Sequence, residues 1–79
     1  MSWHLAWHPA ALHAFYELPV RVAERLDAAV LRLADGHIGE AEKIANSRLM
    51  QLRVHGAVAF FSADRSTGLI YVLRVFPRG

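Results

Sequence analysis

The C-terminal part of this sequence concentrates side chains that can bind phosphate. Residues 48–79 carry five basic residues against one acidic residue, a net charge of +4, whereas residues 1–47 carry four against six, a net charge of −2. Arginine presents a planar fork of donors that suits phosphate and stacks on bases, so the surplus is compatible with an RNA or DNA partner. Charge that protects an exposed strand edge would give the same pattern. The basic residues are all arginines: Arg48, Arg53, Arg65, Arg74 and Arg78.

A histidine stands beside one of these arginines. His55 follows Arg53 by two residues and precedes Gly56, in a predicted turn. Histidine is the side chain that ordinarily gains and loses a proton near neutral pH, so His55 could transfer protons while an arginine stabilises the charge of a phosphate undergoing cleavage. Turns also tolerate polar residues for conformational reasons alone. The residues leave both interpretations of His55 open.

Other kinds of site find little support in the sequence. Because it contains no cysteine, thiolate nucleophiles and cysteine-based zinc sites are excluded. His4 and His8 would lie about 13 Å apart on a strand, too far to share one ion. There is no glycine-rich phosphate loop and no pair of carboxylates at a recognisable catalytic spacing. We therefore expect neither a metal nor a cofactor.

The composition predicts one small folded domain, residues 1–79. The chain is too short for a second domain of ordinary size, and 54% hydrophobic against 20% charged residues is too apolar for a disordered chain. The N-terminus does not have the pattern of a signal peptide, and the most apolar stretch, residues 69–76, is shorter than the roughly 20 residues of a spanning helix. These features predict a cytoplasmic protein that binds no membrane.

Hydrophobic periodicity predicts an α+β fold. Residues 3–7 alternate like a strand, residues 10–18 have helical spacing after Pro9, and Pro19 separates them from a longer helix over residues 20–33. Residues 39–47 form a polar connection. Three strands then follow, with turns at His55-Gly56 and at residues 64–68. The order β-α-α-β-β-β favours an antiparallel sheet with a helical hairpin packed on one face.

Strand alternation assigns residues to the sheet surface that the helices leave uncovered, which we call the open face. If Met50, Leu52 and Val54 pack on the helices, Arg53 faces the other way. The result is an apolar surface that contains arginines, which is typical of a protein-binding patch. Alternation places on the open face Leu49, Gln51, Arg53, Ile70, Val72, Arg74, Phe76 and Arg78, whereas residues 57–63 are apolar on both faces and leave the parity of that strand open.

Several short motifs, in their order and spacing, resemble the RelE/ParE superfamily of bacterial toxins. The resemblance covers nearly the whole chain and implies a compact toxin that is neutralised by an antitoxin protein. RelE-like members cleave mRNA on the ribosome, and ParE-like members poison DNA gyrase. The motifs are Trp7-His8-Pro9-Ala10-Ala11-Leu12, Leu18-Pro19, Ala28-Ala29-Val30 with Leu33-Ala34, Leu52-Arg53-Val54 and Val72-Leu73-Arg74-Val75.

The resemblance implies roles for individual residues. Arg53 and Arg78 match arginines of the family and are the predicted catalytic residues of an mRNA-cleaving endoribonuclease. From their charge and position, and not from the resemblance, Arg48, Arg74 and His55 are predicted to assist in RNA binding. The resemblance also sets the parity of the strand over residues 57–63, with Val58, Phe60 and Ser62 on the open face. The partner-binding residues are predicted to be Val58, Phe60 and Phe76.

The chain departs from the family pattern at two places. Val58 stands where many RelE-like sequences have an arginine that stabilises the phosphate, and the sequence ends at Gly79, before the usual tail with its functional tyrosine. The alternative is therefore a ParE-like or catalytically degenerate toxin that acts only by binding proteins. The expected partners are an antitoxin with the ribosome and mRNA, or DNA gyrase under the alternative.

Overall fold

The structure is a computed structural model that describes residues 2–78. Its elements, in chain order, are β1 (His4–Trp7), α1 (Pro9–Tyr16), α2 (Val20–Ala34), a short 3-10 helix (Ile38–Glu40), β2 (Glu42–Lys43), β3 (Met50–Val54), β4 (Ala57–Asp64) and β5 (Leu69–Pro77). No helix within this described range has the length and apolar character needed to cross a membrane.

The strands form one sheet in the order β1-β5-β4-β3-β2. The pairs β2–β3, β3–β4 and β4–β5 are antiparallel, and β1 lies parallel to β5 at the edge. The predicted α+β class with an antiparallel sheet and a helical hairpin is confirmed. Two details differ from the prediction: the first strand joins the sheet in parallel, and the polar connection contains the two-residue strand β2.

Proline residues set the limits of both helices. Pro9 occupies the first turn of α1, and the Nδ1 atom of His8 accepts a hydrogen bond of 3.0 Å from the backbone N–H of Ala10. This bond satisfies one of the donors that a helix N-terminus leaves without an intrahelical partner. Pro19 then caps α2, whose buried residues Leu26, Val30 and Leu33 follow the helical spacing predicted from the sequence.

The core lies between the two helices and the inner face of the sheet. Its largest fully buried side chains are Phe61, Leu26, Leu33, Ile70, Val30 and Val72. Trp3, Leu5 and Trp7 of the first strand region pack against this cluster, as the alternation predicted. Dense apolar burial on one side leaves the other side of the sheet available for function.

One part of the face assignment is wrong, and an irregularity in β5 explains it. Ile70 and Val72 were expected on the open face, yet both are fully buried in the core. Phe60 pairs with Arg74 while Phe61 pairs with Val72, so Leu73 is an extra residue without a partner in the ladder. Such a bulge reverses the alternation of a strand. Residues before Leu73 therefore face opposite to the prediction, and Arg74 and Phe76 lie on the open face as expected.

Candidate functional site

The open face of the three central strands carries most of the predicted site. Strand pairing and the alternation of buried residues place on it Gln51, Arg53, Val58, Phe60, Ser62, Tyr71, Arg74 and Phe76. Tyr71 was predicted to pack inward, and only the bulge brings it to this surface. In the sequence Tyr71 is in phase with Leu73 and Val75, so alternation alone gave no signal of this change.

Two rows of cross-strand neighbours organise this surface. Arg53 on β3 is paired with Val58 on β4, and Val58 is paired in turn with Phe76 on β5. Paired side chains on one face stand about 5 Å apart, so the three form a continuous row across the sheet. The arginine thus lies at one end of the row and an exposed aromatic ring at the other.

The second row runs beside the first, and its arginine lies on β5 instead of β3. Phe60 on β4 is paired with Gln51 on β3 and with Arg74 on β5. Arg74 is exposed, and its guanidinium Nη1 donates a 2.9 Å hydrogen bond to the backbone carbonyl of Leu73. Arg53 and Arg74 are therefore two strands and one row apart, about 12 Å, on either side of apolar side chains.

An aromatic pair joins the two rows. The ring centroids of Phe60 and Phe76 are 5.8 Å apart with an interplanar angle of 72°, an edge-to-face contact. Phe76 is 48% exposed even with this contact. Edge-to-face pairs leave part of each ring free, so this pair can pack against an apolar side chain or a nucleic-acid base.

The Arg53 guanidinium is engaged in an ion pair that the sequence did not reveal. Its Nη2 donates a 2.7 Å hydrogen bond to Oε1 of Glu42, from the short strand β2. Both side chains are exposed, at 46% and 61%, so the pair contributes little to stability and is readily exchanged for another anion. No periodic signal in the polar connection pointed to Glu42.

The last residues of the chain meet the turn between β3 and β4. The backbone N–H of Arg78 donates a 2.8 Å hydrogen bond to the carbonyl of Gly56, and the carbonyl of His55 accepts a 3.4 Å hydrogen bond from Nη1 of Arg25. His55 and Arg78 are both exposed. The turn at His55-Gly56 thus brings Arg78 to the end of β3 that carries Arg53.

Arg48 lies apart from the other candidate residues. It precedes β3, five residues before Arg53, which corresponds to about 17 Å along an extended chain. The structure therefore groups Arg53, His55 and Arg78 at one end of the sheet and places Arg48 at the opposite end. Among residues 2–78, no three His, Asp or Glu side chains are grouped in a way that would hold a metal ion.

The fold as a whole is that of known toxins. An E. coli RelBE toxin-antitoxin complex matches with a TM-score of 0.83 at 13% identity, over 99% of both chains. The RelE-RelB complex of Pyrococcus horikoshii matches with a TM-score of 0.81 at 19% identity, over 100% of this chain and 98% of the other. For the RelBE2 complex of Mycobacterium tuberculosis the TM-score is 0.74 at 18% identity, over 99% of this chain and 93% of the other.

Sequence comparison adds no closer relative to these structures. No protein-family model and no curated protein matches the sequence. The similarity resides in the arrangement of helices and strands, and it extends over essentially the whole chain in each of the three complexes. The chain has the fold of the RelE toxins.

Proposed function

We propose that this protein is the toxin of a type II toxin-antitoxin pair and that it acts in the cytoplasm by cleaving mRNA on the ribosome. The observation that carries the proposal is the full-length agreement with RelE chains of three toxin-antitoxin complexes, with TM-scores from 0.74 to 0.83. Arginines at one end of the open face supply the positive charge that such chemistry requires.

RNA cleavage of this kind uses the 2′-hydroxyl of the nucleotide itself. The 2′-oxygen forms a bond to the neighbouring phosphorus and gives up its proton, while the bond from phosphorus to the 5′-oxygen breaks and that oxygen receives a proton. Negative charge builds up on the phosphate as this happens. Groups that stabilise this charge and groups that transfer the protons are the parts a protein must supply.

Arg53 and Arg78 are the proposed catalytic residues. Arg53 stabilises the phosphate after its guanidinium exchanges the exposed carboxylate of Glu42 for the phosphate oxygens. Arg78, bonded through its backbone to the turn at Gly56, supplies a second cation at the same end of the sheet. His55, exposed in that turn, contacts the RNA and is the group placed to transfer a proton.

The apolar part of the open face is the proposed docking surface of an antitoxin. Val58, Phe60 and Phe76 are neighbours across β4 and β5, and Arg74 lies beside them. Exposed apolar residues with an arginine at their margin are common in protein interfaces. A partner that covers them also covers Arg53, which would account for neutralisation of the toxin.

A second candidate function follows from Val58. This side chain lies between Arg53 and Phe76, at the position where many RelE-like sequences have an arginine. A valine cannot stabilise a phosphate. The protein would then be a toxin that acts by binding a protein such as DNA gyrase through the apolar open face.

Induced expression without an antitoxin tests the proposal. Growth should stop and translated mRNA should be cut, and Arg53→Ala combined with Arg78→Ala should abolish both effects. A matched variant, Arg21→Ala with Arg32→Ala, removes the same charge from α2 and should remain toxic. Growth arrest with intact mRNA and double-strand DNA breaks would replace this proposal by the gyrase alternative.

A further inference from the structure

A groove lies beside the last residues of β4, where the neighbouring strand β3 no longer pairs with it. The β3–β4 ladder ends at the pair Met50–Phe61, whereas β4 continues to Asp64, paired only with β5. The chain before β3 turns away, with the Leu49 N–H bonded to Oγ of Ser47 at 3.0 Å and the Leu49 carbonyl accepting from the N–H of Ile44 at 3.3 Å. The resulting space, which we call the sheet-end groove, has a volume of about 980 Å³.

The floor of the sheet-end groove is apolar and fixed in position. Trp3, Ile38, Ala41, Met50 and Ala63 line it, and all five pack against the core. The backbone N–H of Trp3 donates a 2.7 Å hydrogen bond to the carbonyl of Ala34 at the end of α2. The indole therefore offers a partly exposed aromatic surface at a site held by both the sheet and a helix.

The rim of the sheet-end groove is basic. Lys43, Arg48 and Arg65 come from three separate segments, and all are exposed. Within residues 2–78 none of them forms an ion pair or a side-chain hydrogen bond, unlike Arg32 and Arg53, which bind Glu40 and Glu42. Three cations around one groove, none of them neutralised within the described chain, favour an anionic ligand.

Among residues 2–78, Asp64 is the one acidic residue that lines the groove, and its carboxylate is hydrogen-bonded within the β4–β5 turn. Oδ1 of Asp64 accepts hydrogen bonds from the backbone N–H of Ser66 at 2.9 Å and from its hydroxyl at 2.7 Å. These bonds hold the pKa of the Asp64 carboxyl below its usual range. The carboxylate stabilises the β4–β5 turn and leaves the positive charge of the rim in excess.

We infer that the sheet-end groove binds single-stranded RNA, with a base stacked on Trp3 and the flanking phosphates bound by Lys43, Arg48 and Arg65. A basic groove combined with an aromatic surface is the usual arrangement for single-stranded nucleic acids. The unpaired edge of β4, residues 62–64, is shorter than a typical strand of about five residues and is therefore a poor template for adding a peptide strand. The inference rests on the proposed function, since that function makes RNA the substrate.

Fluorescence of Trp3 gives a direct test in the full chain. A Trp7→Phe protein keeps Trp3 as its single tryptophan, and a single-stranded RNA of about ten nucleotides and mixed sequence serves as the probe. Saturable quenching is expected. Arg48→Ala combined with Arg65→Ala should weaken RNA binding roughly tenfold and lower the slope of log K against log salt by about 0.7 for each arginine removed.

Arg21→Ala provides the matched control, because it removes one charge from an exposed position in the first turn of α2, about 20 Å along the helix from Ala34, where Trp3 is bonded. It should change the RNA affinity less than twofold, and Arg65→Ala alone should change it more. The inference would be overturned if RNA binding left the Trp3 emission unaltered, or if Arg21→Ala and Arg65→Ala lost the same amount of RNA affinity. Quenching of Trp3 by polyglutamate as strong as that by RNA would also overturn it. The same holds if the Arg48→Ala and Arg65→Ala variants lose antitoxin binding but keep their RNA affinity.

The same variants separate this inference from the proposed function. If RNA quenches Trp3 but mRNA stays intact during growth arrest, the groove inference stands and the proposed cleavage fails. If cells cut mRNA and the Arg48 and Arg65 variants bind RNA normally, the cleavage stands and the groove inference fails.

Discussion

The two faces of this sheet differ in nearly every physical respect, although they are made by the same strands. On the inner face Phe61 is 1% exposed and belongs to one continuous apolar cluster with both helices. Phe60, the preceding residue of β4, is half-buried on the open face and touches Phe76 through an edge-to-face contact. Adjacent residues of one strand thus lie in the core on one side and remain accessible to solvent on the other.

The two faces also differ in the kind of contact that holds their side chains. Inner-face residues gain from removal of apolar area from water, which is strong and cooperative. Open-face groups are held by contacts that are easily exchanged, such as the exposed ion pair between Arg53 and Glu42. An exposed ion pair contributes little to stability, so a ligand can replace it at small cost. The open face can therefore bind a ligand without disturbing the core.

The largest difference between the two faces is expected in the free energy of unfolding when the adjacent residues Phe60 and Phe61 are replaced. Phe61→Ala should lower the free energy of unfolding by about 3–5 kcal/mol, enough to unfold much of a domain of this size, because it leaves a cavity in the core. Phe60→Ala should cost less than about 1 kcal/mol, because its ring remains partly in water. Urea unfolding of both variants measures the difference, and equal losses would contradict the assignment of the two faces.

The turn that joins β3 and β4 should be the next most sensitive place. Gly56 has a φ of +99°, and a Cβ atom added there would lie 2.7 Å from Cγ2 of Val22 on α2. Gly56→Ala should therefore destabilise by about 1–3 kcal/mol, from both backbone strain and overlap with a stiff side chain.

Gly68 is the matched control for this turn. Its φ is +69°, yet an added Cβ would meet nothing within 4 Å, so Gly68→Ala tests backbone strain alone. Thermal unfolding should show a smaller loss for Gly68→Ala than for Gly56→Ala. Equal losses would mean that close contact of the turn with α2 is unimportant.

Much of the fold could be predicted because local patterns and tertiary structure agree. The apolar spacing of Leu26, Val30 and Leu33 marks the buried side of α2, and Pro19 marks its start. Alternation failed at β5, where Ile70 and Val72 are buried, because the unpaired Leu73 reverses the faces of the residues before it relative to those after it. The position of a bulge depends on pairing with the neighbouring strand, which the residues of one strand do not encode.

The candidate site was predicted in part for the same reasons. Arg53 reaches the open face because β3 alternates regularly, so its parity could be predicted from the residues, whereas both faces of β4 are apolar and the parity of Phe60 followed only from the family resemblance. The bond from Arg53 to Glu42 could not be predicted, since it joins β3 to a two-residue strand in a segment without periodicity. The sheet-end groove exists only because three distant segments meet, which no local pattern encodes.

A smaller effect, on RNA affinity, is expected at the ion pair between Glu42 and Arg53. Glu42→Gln removes the carboxylate that accepts a hydrogen bond from Arg53, so the guanidinium becomes available to phosphate. RNA affinity should rise about threefold. Glu24→Gln makes the same change of charge on α2 and should have less effect. Anisotropy titrations with labelled RNA compare the two, and a weaker binding of Glu42→Gln would refute this role of the ion pair.

The smallest expected effect is on stability in acid. Hydrogen bonds from Arg32 hold the pKa of the Glu40 carboxyl below its usual range, and those from Ser66 do the same for the pKa of Asp64. A carboxyl whose pKa is lowered by folding stabilises the protein at neutral pH and loses that contribution as it is protonated, here below about pH 4. Melting temperatures should thus fall less from pH 6 to about pH 3 in Glu40→Gln and Asp64→Asn than in Glu24→Gln.

The bulge at Leu73 also has a consequence for comparing chains of this fold. Val72 and Arg74 occupy consecutive positions of the β4–β5 ladder, as if Leu73 were an insertion into an otherwise regular strand. A chain with a bulge-free strand would be one residue shorter here and still bury the same side chains. An alignment without a gap at Leu73 would therefore equate core positions with open-face positions along one half of β5. Conservation measured from such an alignment would average core residues with open-face residues in the strand that carries Arg74 and Phe76.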